Sequence, residues 1–224
     1  MRRALGTALL VAGLVVLADV AMTMAWQEPV SALRAGRAQH RLAGELQRLE
    51  LAAPARQAAR AARAASSGRL AAAARRFART RHDGDAVAEL SIPRIALRAV
   101  VVRGTAPDDL REGPGLLDGT PLPGEHGTTA IAGHRTTYGA PFRHLDALRR
   151  GDAIALRLAY GTFRYAVQGT RIVDPGDLSV LRRVHHDRLV LSACHPLFSA
   201  ARRIVVLARL VAIGQSATTL NRQA

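Results

Sequence analysis

One cysteine stands in this chain of 224 residues, Cys194, and it follows the apolar run of RLVLSACHP (residues 188–196). A single thiol cannot close a disulfide within the chain, and it cannot build a cysteine-only metal site. It is either a small buried apolar residue or a nucleophile. The local context favours the nucleophile. His195-Pro196 follows at once, so a strand leading to Cys194 has to stop there, and reactive groups concentrate at such ends. A second strand-like run, TTAIAGH, ends on His134, and a third, RIVVLARLVA, opens on Arg203. A thiol, an imidazole and a guanidinium at the ends of three strands are the parts needed for cysteine acyl transfer.

The role of each follows from its chemistry. An ordinary thiol, with a pKa of about 8.5, is ionised to only a few per cent at neutral pH, so a neighbouring cation on His134 or Arg203 would favour the attacking thiolate. His134 can protonate a departing amine and later deprotonate an incoming one. Arg203 stays charged and takes no part in proton transfer. Its work is electrostatic: a fixed fork of donors that holds the substrate backbone and the tetrahedral oxyanion.

The elements that position these groups lie in the carboxy-terminal part. From Ala86 onward, VAELSI, ALRAVVV, TTAIAGH, AIALRLAY, FRYAVQGTRIV, RLVLSA and RIVVLARLVA read as strands. Gly113-Pro114-Gly115 and Asp174-Pro175-Gly176 punctuate them. Short helices fit around Asp108–Arg111, Phe142–Arg150 and Leu178–Val184. Seven or eight strands with so few helices predict an all-β fold, a small barrel or sandwich. With only eight Phe, Trp and Tyr in the chain, aliphatic side chains must fill its core.

The amino-terminal part differs. Residues 4–26 form an apolar run preceded by Arg2 and Arg3 and interrupted by one charge, Asp19. As a helix it measures about 34 Å, enough to cross a bilayer. Trp26 suits the outer interface, and the basic flank sets the amino terminus inside. No small-x-small site ends the run, so an uncleaved signal anchor is expected rather than a cleaved signal peptide. Residues 30–82 carry twelve Arg against Glu45 and Glu50, whereas residues 83–224 carry eighteen Arg against thirteen acids. The formal charge of +15 therefore sits mainly outside the strand-rich part. All 32 basic residues are Arg, a compositional bias, and the basic segment lacks the interleaved aromatics of a nucleic-acid binder. Leu42, Leu46 and Leu49 mark one helical stripe, Pro54 breaks it, and the Ala/Arg run beyond has little to bury. The expected organisation is a cytoplasmic tip and transmembrane anchor at 1–29, a helical stalk or linker at 30–85, a catalytic domain at 86–213 and a polar tail at 214–224. The stalk is a candidate to lie on anionic lipid or an acidic wall polymer, or to be a solvated spacer.

At this point the residues resemble the sortase family. TAIAGHRTTYGAPF (residues 129–142) is similar to its histidine motif, RLVLSACHP to its cysteine motif, and Arg203 with Ile-Val-Val to its arginine. REGPGLLDGTPLPGEHG (residues 111–127) resembles the segment before the histidine strand. The His-Arg-Thr-Thr-Tyr run and Cys-His-Pro look most like class E, with class D as near neighbour. The resemblance implies an eight-stranded β-barrel and a membrane-anchored cysteine transpeptidase that needs no cofactor and no metal. Such an enzyme cuts a Leu-Pro-x-Thr-Gly-like sorting signal, between Thr and Gly, at the end of secreted proteins. It then joins the threonine carbonyl to an amine of a peptidoglycan precursor. Cys194, His134 and Arg203 are the implied catalytic residues, with Leu117, Tyr138, Ala193 and His195 as candidates to border the substrate.

The chain departs from the family pattern at two places. Ala193 stands where Thr is frequent, and Ser192 faces the other side of a strand. Leu116-Leu117-Asp118 replaces a His-Tyr-Pro run, so the second residue of the signal is open between Pro and Ala. His126 lies in a turn near this segment and could line the cleft. Asp108, Asp109 and Glu112 read as the first turn of a short helix rather than a calcium cluster. Three rivals remain. An L,D-transpeptidase would carry Ser-His-Gly-Cys, where this chain has Leu-Ser-Ala-Cys. A pilus-type sortase would carry a lid and a second carboxy-terminal span. An envelope adhesion domain would need no reactive thiol.

Overall fold

The computed structural model describes residues 6, 9–17, 29–52 and 67–214. Eight strands form the frame: β1 (Ala86–Ile92), β2 (Leu97–Arg103), β3 (Gly115–Leu116), β4 (Thr128–Ala132), β5 (Ala153–Leu158), β6 (Gly161–Val173), β7 (Arg188–His195) and β8 (Arg202–Gly214). They close in the order β1-β2-β3-β4-β7-β8-β6-β5, with β5 returning to β1. Seven of these strands lie in the runs whose apolar and β-branched content predicts them. The eighth, β3, is two residues long and sits in the stretch read as a Gly-Pro-Gly turn. It bridges β2 in parallel and β4 antiparallel, and so closes the barrel.

Alternation along the strands sorts the side chains. Leu189, Leu191 and Ala193 of β7 join Ile204 and Val206 of β8 and Ile131 of β4 in the main core. Val190, Val205, Leu207 and Ala130 face the opposite way and form a separate apolar patch with Val180. Two phenylalanines, Phe142 and Phe163, are fully buried, and aliphatic residues fill most of the rest.

The basic amino-terminal segment is helical where it is described, in α1 (Pro29–Ala52) and α2 (Ser67–Ala78), but neither helix stands off the barrel. Leu42 and Leu46, 1% and 2% exposed, cover Ala86, Val100 and Val102 on the outside of β1 and β2. The stripe that defines the helix is thus the face it buries, at about 1.5–3 kcal/mol for each leucine removed from water. Gln39 fastens the same helix to the β2 backbone. Its amide accepts from the Val100 N–H at 2.6 Å and donates to the carbonyls of Val100 and Glu112 at 3.0 and 2.8 Å. A side chain at Gly113 would meet that amide at 2.3 Å, so the close approach needs glycine there. Leu70 and Phe77 of α2 pack on the main core. The free spacer read from the Ala/Arg composition is therefore replaced, over these residues, by a packed outer layer.

Among the described residues no helix is long and apolar enough to cross a membrane. The expected span at 4–26 falls mostly outside them. Its described part, residues 9–17, is helical, with Leu9, Leu10, Leu14 and Leu17 each at least 60% exposed.

Candidate active site

Strand register brings the three reactive groups together. β7 and β8 pair antiparallel, with Cys194 directly opposite Arg203. β4 and β7 pair in parallel, Thr128 with Arg188 through to Ala132 with Ser192, and the Gly133 N–H continues the ladder to the Ser192 carbonyl at 3.0 Å. Carried on by two residues, this register sets His134 level with Cys194. Neighbouring strands lie about 4.8 Å apart, so the imidazole and guanidinium strands flank the thiol strand one step to either side.

Cys194 and Arg203 face away from the main core. Cys194 alternates with core residue Ala193, and Arg203 with core residue Ile204. Further along the same face runs the patch of Ala130, Val190, Val205, Leu207 and Val180, with Leu117, Val173 and Leu181 packed against it. Each of these five is no more than 9% exposed, so the patch is a packed outer layer of the wall. Leu117 belongs to it. Its N–H donates to the Ala130 carbonyl at 2.9 Å, four residues before His134. Ala193, at 3% exposure, points into the barrel instead, so its methyl group does not share the face of the thiol.

The loop after β4 is folded tightly around His134. The Phe142 N–H returns to the His134 carbonyl at 3.0 Å. A side chain at Gly133 would meet the Phe142 ring at 2.7 Å, so the strand can pass over that ring only as glycine. Tyr138 adopts a left-handed backbone, φ 51°, and places its ring 5.0 Å from the His134 ring. The Arg111 guanidinium of α3 (Pro107–Glu112) lies 6.0 Å from the other ring of this pair, Tyr138. The Tyr138 N–H donates to Ser31 Oγ at 3.2 Å. The first turn of α1 thus props the histidine loop, a contact that no sequence pattern announces.

Burial, and secondarily the charge of Arg111, hold the His134 imidazole below the ordinary histidine range. Both causes disfavour the cation, so at neutral pH His134 is a neutral base suited to take the thiol proton. The cation that faces Cys194 is then Arg203. A folded-state value depressed in this way keeps the ring neutral, and its base function intact, to below pH 6.5. The stability tied to the neutral ring is full above 6.5, falls once the unfolded chain takes up its proton there, and is gone as pH passes the folded value. Arg111→Gln should move the His134 titration upward, followed by the ring proton in NMR. An unchanged or lower value would remove Arg111 as a cause.

Arg203 is half-buried, and its Nη1 donates to the Ala200 and Arg202 carbonyls at 2.9 and 3.1 Å. Among the described residues, its Nε and Nη2 have no protein acceptor, which leaves donors for a substrate oxygen. His195 lies past the thiol on the other face of β7 and is bonded to Arg135 at 2.9 Å. Its ring is engaged behind the site. His126 is not at the cleft. It precedes β4, sits 3.3 Å from Asp187 just before β7, and so belongs to the opposite end of these strands. Asp108 and Asp109 occupy the first turn of α3, as their spacing suggests.

A closed barrel that pairs a thiol with a guanidinium across two strands, and ends the neighbouring strand two residues before an imidazole, has the parts of a cysteine acyl-transfer site. Residues 90–211 match the Sortase domain, and the chain belongs to the sortase family, a family of cysteine transpeptidases. It is 35% identical over 132 residues to Sortase D of Bacillus subtilis (strain 168), across 57% of this chain and 65% of that protein. It is 30% identical over 94 residues to Sortase SrtE1 of Streptomyces coelicolor, across 38% of this chain and 27% of that protein. The matched region thus spans less than two thirds of either relative. The solved structure of sortase E from Streptomyces avermitilis superposes with a TM-score of 0.56 at 29% identity, over 63% of this chain and 97% of that one. Relatives of both class D and class E are therefore similar to this chain.

Proposed function

We propose that this protein is a membrane-anchored transpeptidase. It cleaves a sorting signal of the Leu-Pro-x-Thr-Gly or Leu-Ala-x-Thr-Gly kind between Thr and Gly, and passes the threonyl group to an amine of a peptidoglycan precursor. The observation that carries this reading is the register of Cys194 opposite Arg203, on the strand next to β4, which ends two residues before His134.

The steps follow from that arrangement. Neutral His134 takes the thiol proton, and the Cys194 sulfur attacks the threonine carbonyl carbon. The new C–S bond pushes the carbonyl electrons onto oxygen, where the free Arg203 donors meet them. Collapse breaks the Thr–Gly bond, and the imidazolium of His134 protonates the departing glycine amine. A thioester on Cys194 remains. His134 deprotonates the incoming amine, which attacks the same carbon, and the thiolate leaves.

The exposed apolar helix at 9–17, with Arg2 and Arg3 before it, supports an anchor with the amino terminus in the cytoplasm and the barrel outside. Protease added to intact spheroplasts should digest the barrel domain. A protected domain would reverse the topology.

Leu117, packed against that outer patch, bears on which residue follows the leucine of the signal. A tyrosine at this position would add a hydroxyl and a flat ring and favour a small residue. Leucine adds neither, so Pro should be accepted at least as readily as Ala. Paired Leu-Pro-x-Thr-Gly and Leu-Ala-x-Thr-Gly peptides, compared by kcat/KM in wild type and Leu117→Tyr, test this. The substitution should shift the ratio toward Ala by roughly 10- to 200-fold, the range of a one-group pocket difference. A strong Ala preference that the substitution leaves unchanged would show that Leu117 does not read this residue.

A further inference from the structure

Arg135 follows His134 in sequence, is 3% exposed, and is not explained by the chemistry above. Its guanidinium reaches three parts of the chain. Nη1 lies 2.9 Å from His195 Nδ1, Nη2 lies 3.0 Å from an Asp146 carboxylate oxygen, and Nε donates to the Arg143 carbonyl at 3.3 Å. A guanidinium can only donate, so His195 Nδ1 accepts and the ring of neutral His195 carries its proton on Nε2. Strand alternation makes the geometry specific. On β7, Cys194 and His195 point to opposite faces, and Arg135, the residue after His134, meets His195 on the face away from the thiol.

Backbone pairing between these strands stops just short of the site. β4 ends at Ala132, and the last ladder bond runs from the Gly133 N–H to the Ser192 carbonyl. From there the loop turns away toward Phe142. The Arg135–His195 bond takes over at the point where the ladder ends. Burying a guanidinium is also costly beside an apolar residue of similar volume, so stability alone does not account for it.

We propose that Arg135 is a positioning residue, a clasp behind the active site. Through His195 it fixes the loop that carries His134 to the end of the strand that carries Cys194, and so sets the spacing of imidazole and thiol. This rests on the proposed acyl transfer only for its turnover readout.

The test uses the full-length chain in detergent, with Arg135→Lys, His195→Leu, His195→Asn and the double variant Arg135→Lys/His195→Leu. Turnover of a Leu-Pro-x-Thr-Gly peptide is measured together with alkylation of Cys194 by iodoacetamide across pH and with thermal unfolding. Misplacement of about an ångström costs up to roughly 100-fold in rate, so Arg135→Lys and His195→Leu should each lose on the order of 10- to 100-fold in kcat with KM nearly unchanged. The double variant should be no worse than the poorer single, because one interaction is removed in all three. His195→Asn keeps an acceptor near the Nδ1 position and should turn over faster than His195→Leu. The alkylation profile should lose the inflection that His134 imposes on it in the wild type. Wild-type kcat in Arg135→Lys, additive losses in the double variant, or equal rates for His195→Asn and His195→Leu would each overturn the clasp. If Arg135→Lys does not fold, the two His195 variants decide alone. A wild type that leaves the peptide uncut but whose alkylation shows the inflection would sink the proposed reaction and leave the clasp to the alkylation profiles.

Discussion

Cys194→Ala should abolish peptide turnover and leave the barrel folded. The thiol is half-exposed on the outer face of β7, while Ala193 and Leu191 beside it fill the core. Losing one sulfur there opens no cavity in the main cluster. Loss of the nucleophile, in contrast, removes the covalent route altogether, and rates should fall by on the order of 10⁴-fold or more. Circular dichroism and a transpeptidation assay on a chain beginning at residue 29 would measure both. A start at residue 83 would strip away α1 and α2 and leave Val100 and Val102 facing water. Retained turnover would remove the enzyme reading, and lost structure would show that Cys194 is a packing residue.

Arg203→Ala should lose on the order of 100-fold or more in rate, as for removal of an oxyanion donor. Its neighbour supplies the control. Arg202 pairs across from His195 rather than Cys194, points to the other face, and lies 3.5 Å from the exposed Asp174 carboxylate. Exposed pairs of that kind contribute little, so Arg202→Ala should be mild. Equal losses, or a larger one at Arg202, would show that the register does not place Arg203 at the chemistry. Arg203→Lys sharpens the comparison: it keeps the charge but not the fork of donors, and should recover only part of the loss.

The barrel was legible because its strands obey a simple rule. Runs such as RLVLSA and RIVVLARLVA alternate residues of the main core with residues of the outer patch, and their turn residues stand where the strands end. The pairing of Cys194 with Arg203 was legible for the same reason: the two bracket one hairpin-like connection, and His134 follows the end of a run of its own. β3 escaped because two residues carry no periodicity. The docking of α1 escaped although Leu42 and Leu46 mark its stripe, because nothing in the sequence says that the stripe meets β1 and β2 or that Gln39 bonds the Val100 backbone. A basic, alanine-rich helix needs only a narrow apolar stripe to dock, and charge counts do not register it. The Arg135–His195 bond escaped for a different reason. A buried arginine looks like a surface one in sequence, and only the parallel register of β4 and β7 sets these two residues side by side. The position of His126 was misread because nearness to the histidine motif in sequence is not nearness to its end. The strand between them runs the length of the barrel wall.

Trapping the thioester on Cys194 is the decisive measurement. The chain would be mixed with a Leu-Pro-x-Thr-Gly peptide without an amine acceptor, quenched in acid within the first turnover, and weighed intact. The predicted result is a mass gain equal to the peptide through its threonine, mapped by digestion to Cys194 and absent from Cys194→Ala. Cleavage of the peptide with Cys194 unmodified, or undiminished in Cys194→Ala, would contradict it.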